Sequence, residues 1–590
     1  MQKRSEALAL SISQTPAADA DDRPMPVGFR HFLGTPKPSQ RFKAYGVDPL
    51  DAPEHSEKIR GLMSRLSRRM DAQIAWPAHQ NPAHRNPEIR HWENPNLPSG
   101  YTYLLQFIAH DLVQTAMPIS VTGKLGAENA NARRAPLRLE TLFGGGPVGC
   151  PVLFAQDSPH DERRTKLRLG RMRQQNRDVE AGCPFRDIAR TPAENVTGID
   201  RGIPGMRAAR TEALIADPRN DDHAIMSQLT ALFSLSHNAL VDMVGRGEPK
   251  AAPHAHLGAS YQRYLCARDG LTAIYHSIIR KDLMRRLLHP EIYAAYHSPT
   301  PGFVEWPEEA GSTKRGVQDE WRIPLEFTLG AFRFGHAMVR HEYVINDLST
   351  HDLVNTLEKT SANDPVNMPL DSTWMVRWSR FFEIAGSRPN YSRRIGPFLS
   401  DGLGHDRIFP AVDHTNRVGL LYRDLLGSSL AGMWSVDALI AEIGRRRPQS
   451  IGASRLLADR GFRVSQIREW LASETAYSPL TINDIETLAN DPPLPLFIWF
   501  EAMRQEGSEG LHLGPLGSII VAEVMFGALE RATVPAAIGT ESLRDALAAI
   551  SAEYYPTNVF ADVPEIAGMD QLVEFTADIG DLRQAAPAFL

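Results

Sequence analysis

Three cysteines in 590 residues, Cys150, Cys183 and Cys266, allow one bridge at most. That excludes a disulfide framework and a four-thiolate metal centre within one chain. Long apolar runs are missing too: no uninterrupted stretch is long enough to span a bilayer. The N-terminal MQKRSEALALSISQ puts Lys3 and Arg4 before an apolar patch interrupted by serines, which is not the pattern of a signal peptide. A soluble protein is expected, with its compartment and oligomeric state left open. Neither sign of charge dominates, since 64 Lys and Arg face 70 Asp and Glu for a formal net charge of -6. Nucleic acid is therefore not an expected partner. The local basic run DERRTKLRLGRMRQQNR at 161–177 reads as a solvated surface segment.

Strand-like alternation is scarce and no repeat of solenoid length occurs. Helical periodicity, by contrast, is clear at 225–244, 259–288, 436–444, 495–506 and 517–532. Between such segments run long connections rich in proline and glycine, among them 77–100 and 387–410, whose aromatics and arginines suggest ordered loops packed on a core. Residues 1–40, rich in Ala, Asp, Pro and Ser without periodicity, are expected to form a flexible lead-in. Residues 41–590 are expected to form one mainly α-helical domain with little β structure, its site assembled from distant segments.

Three segments set reactive side chains into apolar surroundings. LLQFIAHDLVQT at 104–115 carries Gln106, His110 and Asp111, and the spacing of four puts Gln106 and His110 on one helical face. ADPRNDD at 216–222 places Arg219 and Asp222 just before a long amphipathic helix. LGAFRFGHAMVRHEYVIN brings Arg333 and His336 among Phe332, Phe334, Met338 and Val339. Taken singly, a histidine in such a setting is more often a satisfied core residue than a ligand. The glycine-rich FGGGPVG at 143–149 lacks the Lys and Ser/Thr of a phosphate loop and reads as a turn.

Together and in chain order, the three segments resemble the animal-type haem peroxidases of the peroxidase-cyclooxygenase superfamily, its bacterial members in particular. The family's Q-F-x-x-H-D is matched by Gln106, Phe107, His110 and Asp111, its D-x-R-N by Asp217 to Asn220, and its F-R-F-G-H-x-x-V-R by Phe332 through Arg340. Weaker echoes at 135–147, 375–384, 420–432 and 514–524 extend the resemblance over roughly 100–530. It implies a mainly α haem peroxidase fold with haem b buried between helices and long ordered loops. In that frame His336 is the proximal iron ligand, and His110 is the distal acid and base. Arg219 stabilises developing negative charge, Gln106 holds peroxide, and Arg333 pairs with a haem propionate. Asp424, where relatives carry asparagine, is the expected acceptor for the His336 imidazole N–H.

Three departures shape the expectations. Ala109 stands where mammalian members carry an aspartate esterified to haem, and Asp222 where they carry a glutamate. His223 replaces their sulfonium-forming methionine. Haem is therefore expected to be noncovalent, or linked through Asp222 alone. Asp111 matches the first part of the family's calcium site, but the later loop offers Arg138 in place of an aspartate and keeps only Glu140 as an acid. The oxygen cage for calcium is thus incomplete, and an Arg138–Asp111 ion pair is expected in its place. His237, at a helix position without a direct haem role, is expected to be structural.

The function implied is a peroxidase that reduces hydrogen peroxide and oxidises a small phenolic, aromatic or bromide/iodide donor. Two rivals remain: a fatty-acid dioxygenase of the same superfamily, for which Tyr343 and Tyr422 are the candidate radical tyrosines, and a catalytically silent haem-fold protein used for binding or adhesion.

Overall fold

Helices formed by the periodic segments carry the computed structural model, which describes residues 27–50, 53–71, 92–156, 164–173, 186–192, 194–196, 208–250, 258–297, 322–447, 454–473, 479–540 and 542–578. Those that build or enclose the site are α1 (Pro53–Asp71), α2 (Gly100–Leu112), α3 (Ala224–Val244), α4 (Ala259–Ile278), α5 (Phe334–Ala337), α6 (Leu420–Leu430), α7 (Leu494–Arg504) and α8 (Pro515–Ala532). The periodic stretch at 259–288 departs from one continuous helix, because a π-turn at Ile279–Leu283 follows α4 before Met284–Leu287 resumes the α-helix. Strands among the described residues occur as two-stranded pairs. Mainly α architecture with little β is thus what the chain adopts.

One hydrophobic cluster runs from Phe29 to Ala577. Its middle is the packing of α2 on α3 and α4: the Phe107 ring stacks on Phe233 at 4.8 Å and 6°, and Tyr275 meets both rings edge-on. Leu104, Leu105, Phe107, Ile108 and Leu112 of α2 are all buried, each contributing about 1.5–3 kcal/mol. Gly100 opens α2 where no larger residue fits, since a Cβ there would lie 2.4 Å from the Phe382 ring. The 387–410 loop is packed as expected: Tyr391–Arg393 pairs antiparallel with Glu93–Pro98, and Ile395 and Leu403 are buried. Of the other connection, residues 77–91 lie outside the described residues, as do Cys183 and the ends of the basic run at 161–163 and 174–177.

The lead-in expected over 1–40 needs correction. Residues 1–26 lie outside the described residues, but from there the chain packs: Phe29 and Arg30 pair in parallel with Ile323 and Pro324, and Phe29, Phe32 and Leu33 are buried. The anchor is the buried Glu326 carboxylate. It accepts the His31 Nδ1–H at 2.9 Å, the Phe32 N–H at 2.8 Å and the Trp434 N–H at 3.2 Å. Composition reads low hydrophobicity averaged over a window and misses such a local plug. His31→Ala should lower unfolding stability by about 1–3 kcal/mol, the cost of a lost partner at a buried carboxylate. A shift of the urea midpoint at unchanged slope checks it, and an unshifted midpoint would remove Glu326 as the anchor.

Among the described residues, no helix is long and apolar enough to cross a membrane.

Candidate functional site

The segments singled out in the sequence meet at one cavity of about 1230 Å³, whose wall includes Gln106, His110, Arg219, Asp222, Arg333 and His336. Cofactor pockets typically span ~300–1,000 Å³, so the space is large enough for a macrocycle and a small substrate.

On one side stands α2. Gln106 and His110 share its cavity face while the apolar face binds α3. His110 Nδ1 lies 2.9 Å from Asn220 Oδ1, and the Asn220 amide nitrogen is committed to the Thr141 carbonyl at 3.0 Å. Asn220 therefore presents its carbonyl oxygen, His110 Nδ1 is the protonated nitrogen, and Nε2 is left as a bare lone pair. Burial, helped by the nearby Arg219 charge, pushes the His110 pKa down to about 4. The ring is thus neutral at ordinary pH and can accept a proton.

Arg219 is held by more than the sequence revealed. Its Nε and Nη2 are bound to Asp217 at 3.0 and 2.6 Å, and Nη2 also donates to the carbonyls of Val113 and His110 at 2.7 and 3.1 Å. Nη1 is the nitrogen left for the cavity. Asp217 is shared with buried Arg133, whose Nε donates to the same His110 carbonyl at 2.8 Å. Burial opposes ionisation of Asp217, yet the bonds and charge of Arg219, with Arg133, hold its pKa below the usual carboxylate range. The sequence reading gave no role to Arg133, Asp217, Asn220 or Thr141. The D-x-R-N spacing held a signal for Asp217 and Asn220, but nothing local pointed to Arg133.

Also on the cavity wall, His336 sits in the single turn of α5 after a π-turn (Glu326–Gly330) and a 3-10 turn (Ala331–Arg333). Gly330 lets this irregular stretch press against α7, since a Cβ there would lie 2.4 Å from Leu494 Cδ2. Such π-turns often mark functional sites. His336 Nδ1 donates to Asp424 Oδ2 at 2.6 Å, which leaves Nε2 as the ring nitrogen without a protein partner. Asp424, on α6, also pairs through Oδ1 with Arg333 Nη1 at 3.4 Å.

The wall fits haem on three observations. Two histidines on one cavity each spend Nδ1 on a protein partner and leave Nε2 without one. Arg333 Nε is buried without a hydrogen-bond partner, a donor suited to a carboxylate such as a propionate. A Cβ on Gly335, beside His336, would meet no protein atom within 4 Å, so the space there is open.

Other residues fall differently. Asp222 opens its carboxyl to the cavity, and the protein enclosing it raises its pKa to about 7. Ala109, on the same wall, offers no carboxyl. The expected Arg138–Asp111 ion pair does not form. Arg138 donates to the Thr533 carbonyl at 3.0 Å, while Asp111 accepts the backbone N–H of Leu139 at 2.9 Å and of Thr141 at 3.1 Å. Leu139 adopts a left-handed φ of 59°, which turns those amides onto the carboxylate. Both Asp111 oxygens are thereby engaged, and burial raises its pKa to about 7. Among the described residues no group of three His, Cys, Asp or Glu side chains is arranged to hold a metal. His237 is buried, its Nε2 donating to the Thr165 carbonyl at 2.9 Å. Tyr343 accepts the Arg340 N–H at 2.8 Å and Tyr422 donates to Asp413, and neither belongs to the cavity wall.

Comparison with known proteins gives one family and several solved structures. No curated protein sequence matches. The chain is similar to peroxidase A from Dictyostelium discoideum at 13% identity, over 92% of this chain and 99% of that one, with a TM-score of 0.49. It is similar to the fatty acid alpha-dioxygenase of Oryza sativa at 12% identity, over 90% and 88%, with a TM-score of 0.43. The fatty acid alpha-dioxygenase of Arabidopsis thaliana stands at 12%, over 95% and 80%, with a TM-score of 0.44. The family model that matches is that of the animal haem peroxidases, over residues 156–380. That span contains Arg219 and His336 and stops short of His110 and Asp424 on either side. With its ordered motifs and this match, the chain is similar to the animal haem peroxidase family over residues 156–380.

Proposed function

We propose that the chain is a haem-dependent peroxidase that reduces hydrogen peroxide and oxidises a small phenolic or aromatic donor, bromide or iodide. The observation that carries this reading is that His336, backed by Asp424, lines one cavity together with His110, Gln106 and Arg219. Haem b would be held by His336 Nε2, with Arg333 toward a propionate, and would supply the redox-active iron for peroxide reduction. His110 Nε2 takes the proton from one peroxide oxygen and returns it to the other, the leaving one, a transfer typically worth ~10²–10⁴-fold. Arg219 Nη1 stabilises the negative charge that grows on the leaving oxygen. Its ion pair with Asp217 fixes the guanidinium plane so that this one nitrogen meets the substrate. Haem is held without the ester that Ala109 cannot form, either noncovalently or through Asp222 alone. Asp111, occupied by backbone amides, is not proposed as a calcium ligand.

The reading is supported against the dioxygenase alternative by the placement of Tyr343 and Tyr422 away from the cavity wall. The test is the purified chain's visible spectrum followed by turnover. Bound haem with peroxide-dependent oxidation of a phenol is expected. Oxygen uptake with a polyunsaturated fatty acid would replace this reading by the dioxygenase, and haem without turnover would replace it by a binding role.

Asp424→Asn should raise the ferric/ferrous midpoint potential by ~60–120 mV, one to two tenfold steps at about 59 mV each for a one-electron couple. A neutral amide makes the imidazole less basic than a carboxylate does, and it also releases Arg333. Spectroelectrochemical titration measures the shift, and an unchanged potential would remove Asp424 from this role.

A further inference from the structure

We infer that His223 is a positioning residue of the peroxide site, fixing the side-chain amide of Gln106 so that its NH2 end and not its carbonyl faces the incoming peroxide. The inference rests on the peroxidase reading of the cavity.

His223 caps the N-terminus of α3, an uncommon choice for that position. Its Nδ1 accepts the Met226 N–H at 3.2 Å. A ring nitrogen accepting from a backbone amide carries no proton. Burial pushes the His223 pKa down to about 3, so the ring is neutral and its single proton must sit on Nε2. That Nε2 lies 2.9 Å from Gln106 Oε1. The Tyr103 ring, 5.0 Å away and inclined by 62°, keeps the imidazole from turning.

The order of dependence is therefore backbone, ring, amide. Because Met226 N–H can only donate, His223 Nε2–H must donate, and Gln106 must answer with its oxygen. The opposite amide flip would set an NH2 against an N–H and leave buried donors unpaired. Gln106 Nε2 is then the end of the amide left for the cavity that Arg219 and His110 also line, with His110 Nε2 as the acceptor. Two donors and one acceptor fit a peroxide that gives up one proton and gains negative charge. A side chain without a capping acceptor and a second donor cannot impose this choice.

His223→Asn tests it. Asparagine keeps the cap, since its oxygen can accept the Met226 N–H, but is too short to reach Gln106. With carbon monoxide on the reduced holoprotein, the wild type should show one C–O stretching band, and His223→Asn a band split or shifted to higher wavenumber. Gln106→Met should shift it likewise, and adding His223→Asn to Gln106→Met should shift it no further. An unmoved band in His223→Asn, or an equal shift in both backgrounds, would overturn the proposal. A second measurement does not depend on haem: in protein labelled with 15N-histidine, His223 should be the neutral Nε2–H tautomer down to pH 5, and an Nδ1–H tautomer would overturn it. A wild-type chain that takes up no haem would refute the peroxidase reading instead, and the tautomer would then decide the role of His223 alone.

Discussion

His336→Ala should leave a folded chain that retains little or no haem. The imidazole supplies the one protein bond to iron in this reading, and among the described residues the other histidines of the cavity wall, His110 and His223, are bound to Asn220 and Gln106. Its loss should weaken haem binding by more than the ~10–100-fold typical when only an outer partner of a metal ligand is removed. The Soret absorbance per chain and the rate of haem transfer to an acceptor protein measure it. Far-UV circular dichroism should stay unchanged, because His336 lies in a four-residue turn and is not part of the main core. Added imidazole should restore part of the spectrum by filling the space the side chain leaves. A Soret band unaltered in position and intensity would remove the proximal assignment. The expected result also separates His336 from Asp424, whose substitution should change the potential and keep the haem.

His110→Leu carries the second large effect: the rate constant for reaction with peroxide should fall by ~10²–10⁴, the range for loss of general acid–base catalysis. Haem content should hold, because in the proposed reading His110 is not an iron ligand. The pH profile supplies an independent check. With a pKa lowered to about 4, the ring is in its proton-accepting form throughout the range above pH 5 and is lost to protonation as pH falls through 4. An imidazole at its ordinary value of about 6.5 would be mostly protonated at pH 5.5. The wild-type rate should therefore be flat from pH 8 to 5 and decline below. Stopped-flow mixing with peroxide measures both. A decline centred near pH 6.5 would mean that the cavity does not keep His110 neutral, and a His110→Leu rate within threefold of wild type would remove it as the base.

The distal residues show where sequence reading stops. Spacing alone put Gln106 and His110 on one helical face, and the face proved to be a cavity wall. It could not say which atom of each side chain looks outward. For His110 that is decided by Asn220, through Thr141; for Gln106 by His223, through Met226 N–H. Each of these partners comes from another segment, and an amide or imidazole orientation is a property of its whole hydrogen-bond set. The failed Arg138–Asp111 pair teaches the same point: opposite charges from two matched segments did not pair, because the left-handed turn at Leu139 brings the backbone amides of Leu139 and Thr141 to Asp111.

Chain periodicity and motif order determined the mainly helical architecture, the two histidines, Arg219, and the family resemblance, because these depend on side-chain type and local spacing. The departures at Ala109 and His223 were equally legible, as single letters. Tertiary structure alone decided that residues 27–40 belong to the packed body, that Asp217, shared with Arg133, holds Arg219, and that Asp424 answers both His336 and Arg333. It also decided which nitrogen of each histidine meets the cavity. Those outcomes turn on contacts between residues 84 apart for Arg133 and Asp217, 88 for His336 and Asp424, and 295 for His31 and Glu326, where no local pattern records which groups will meet.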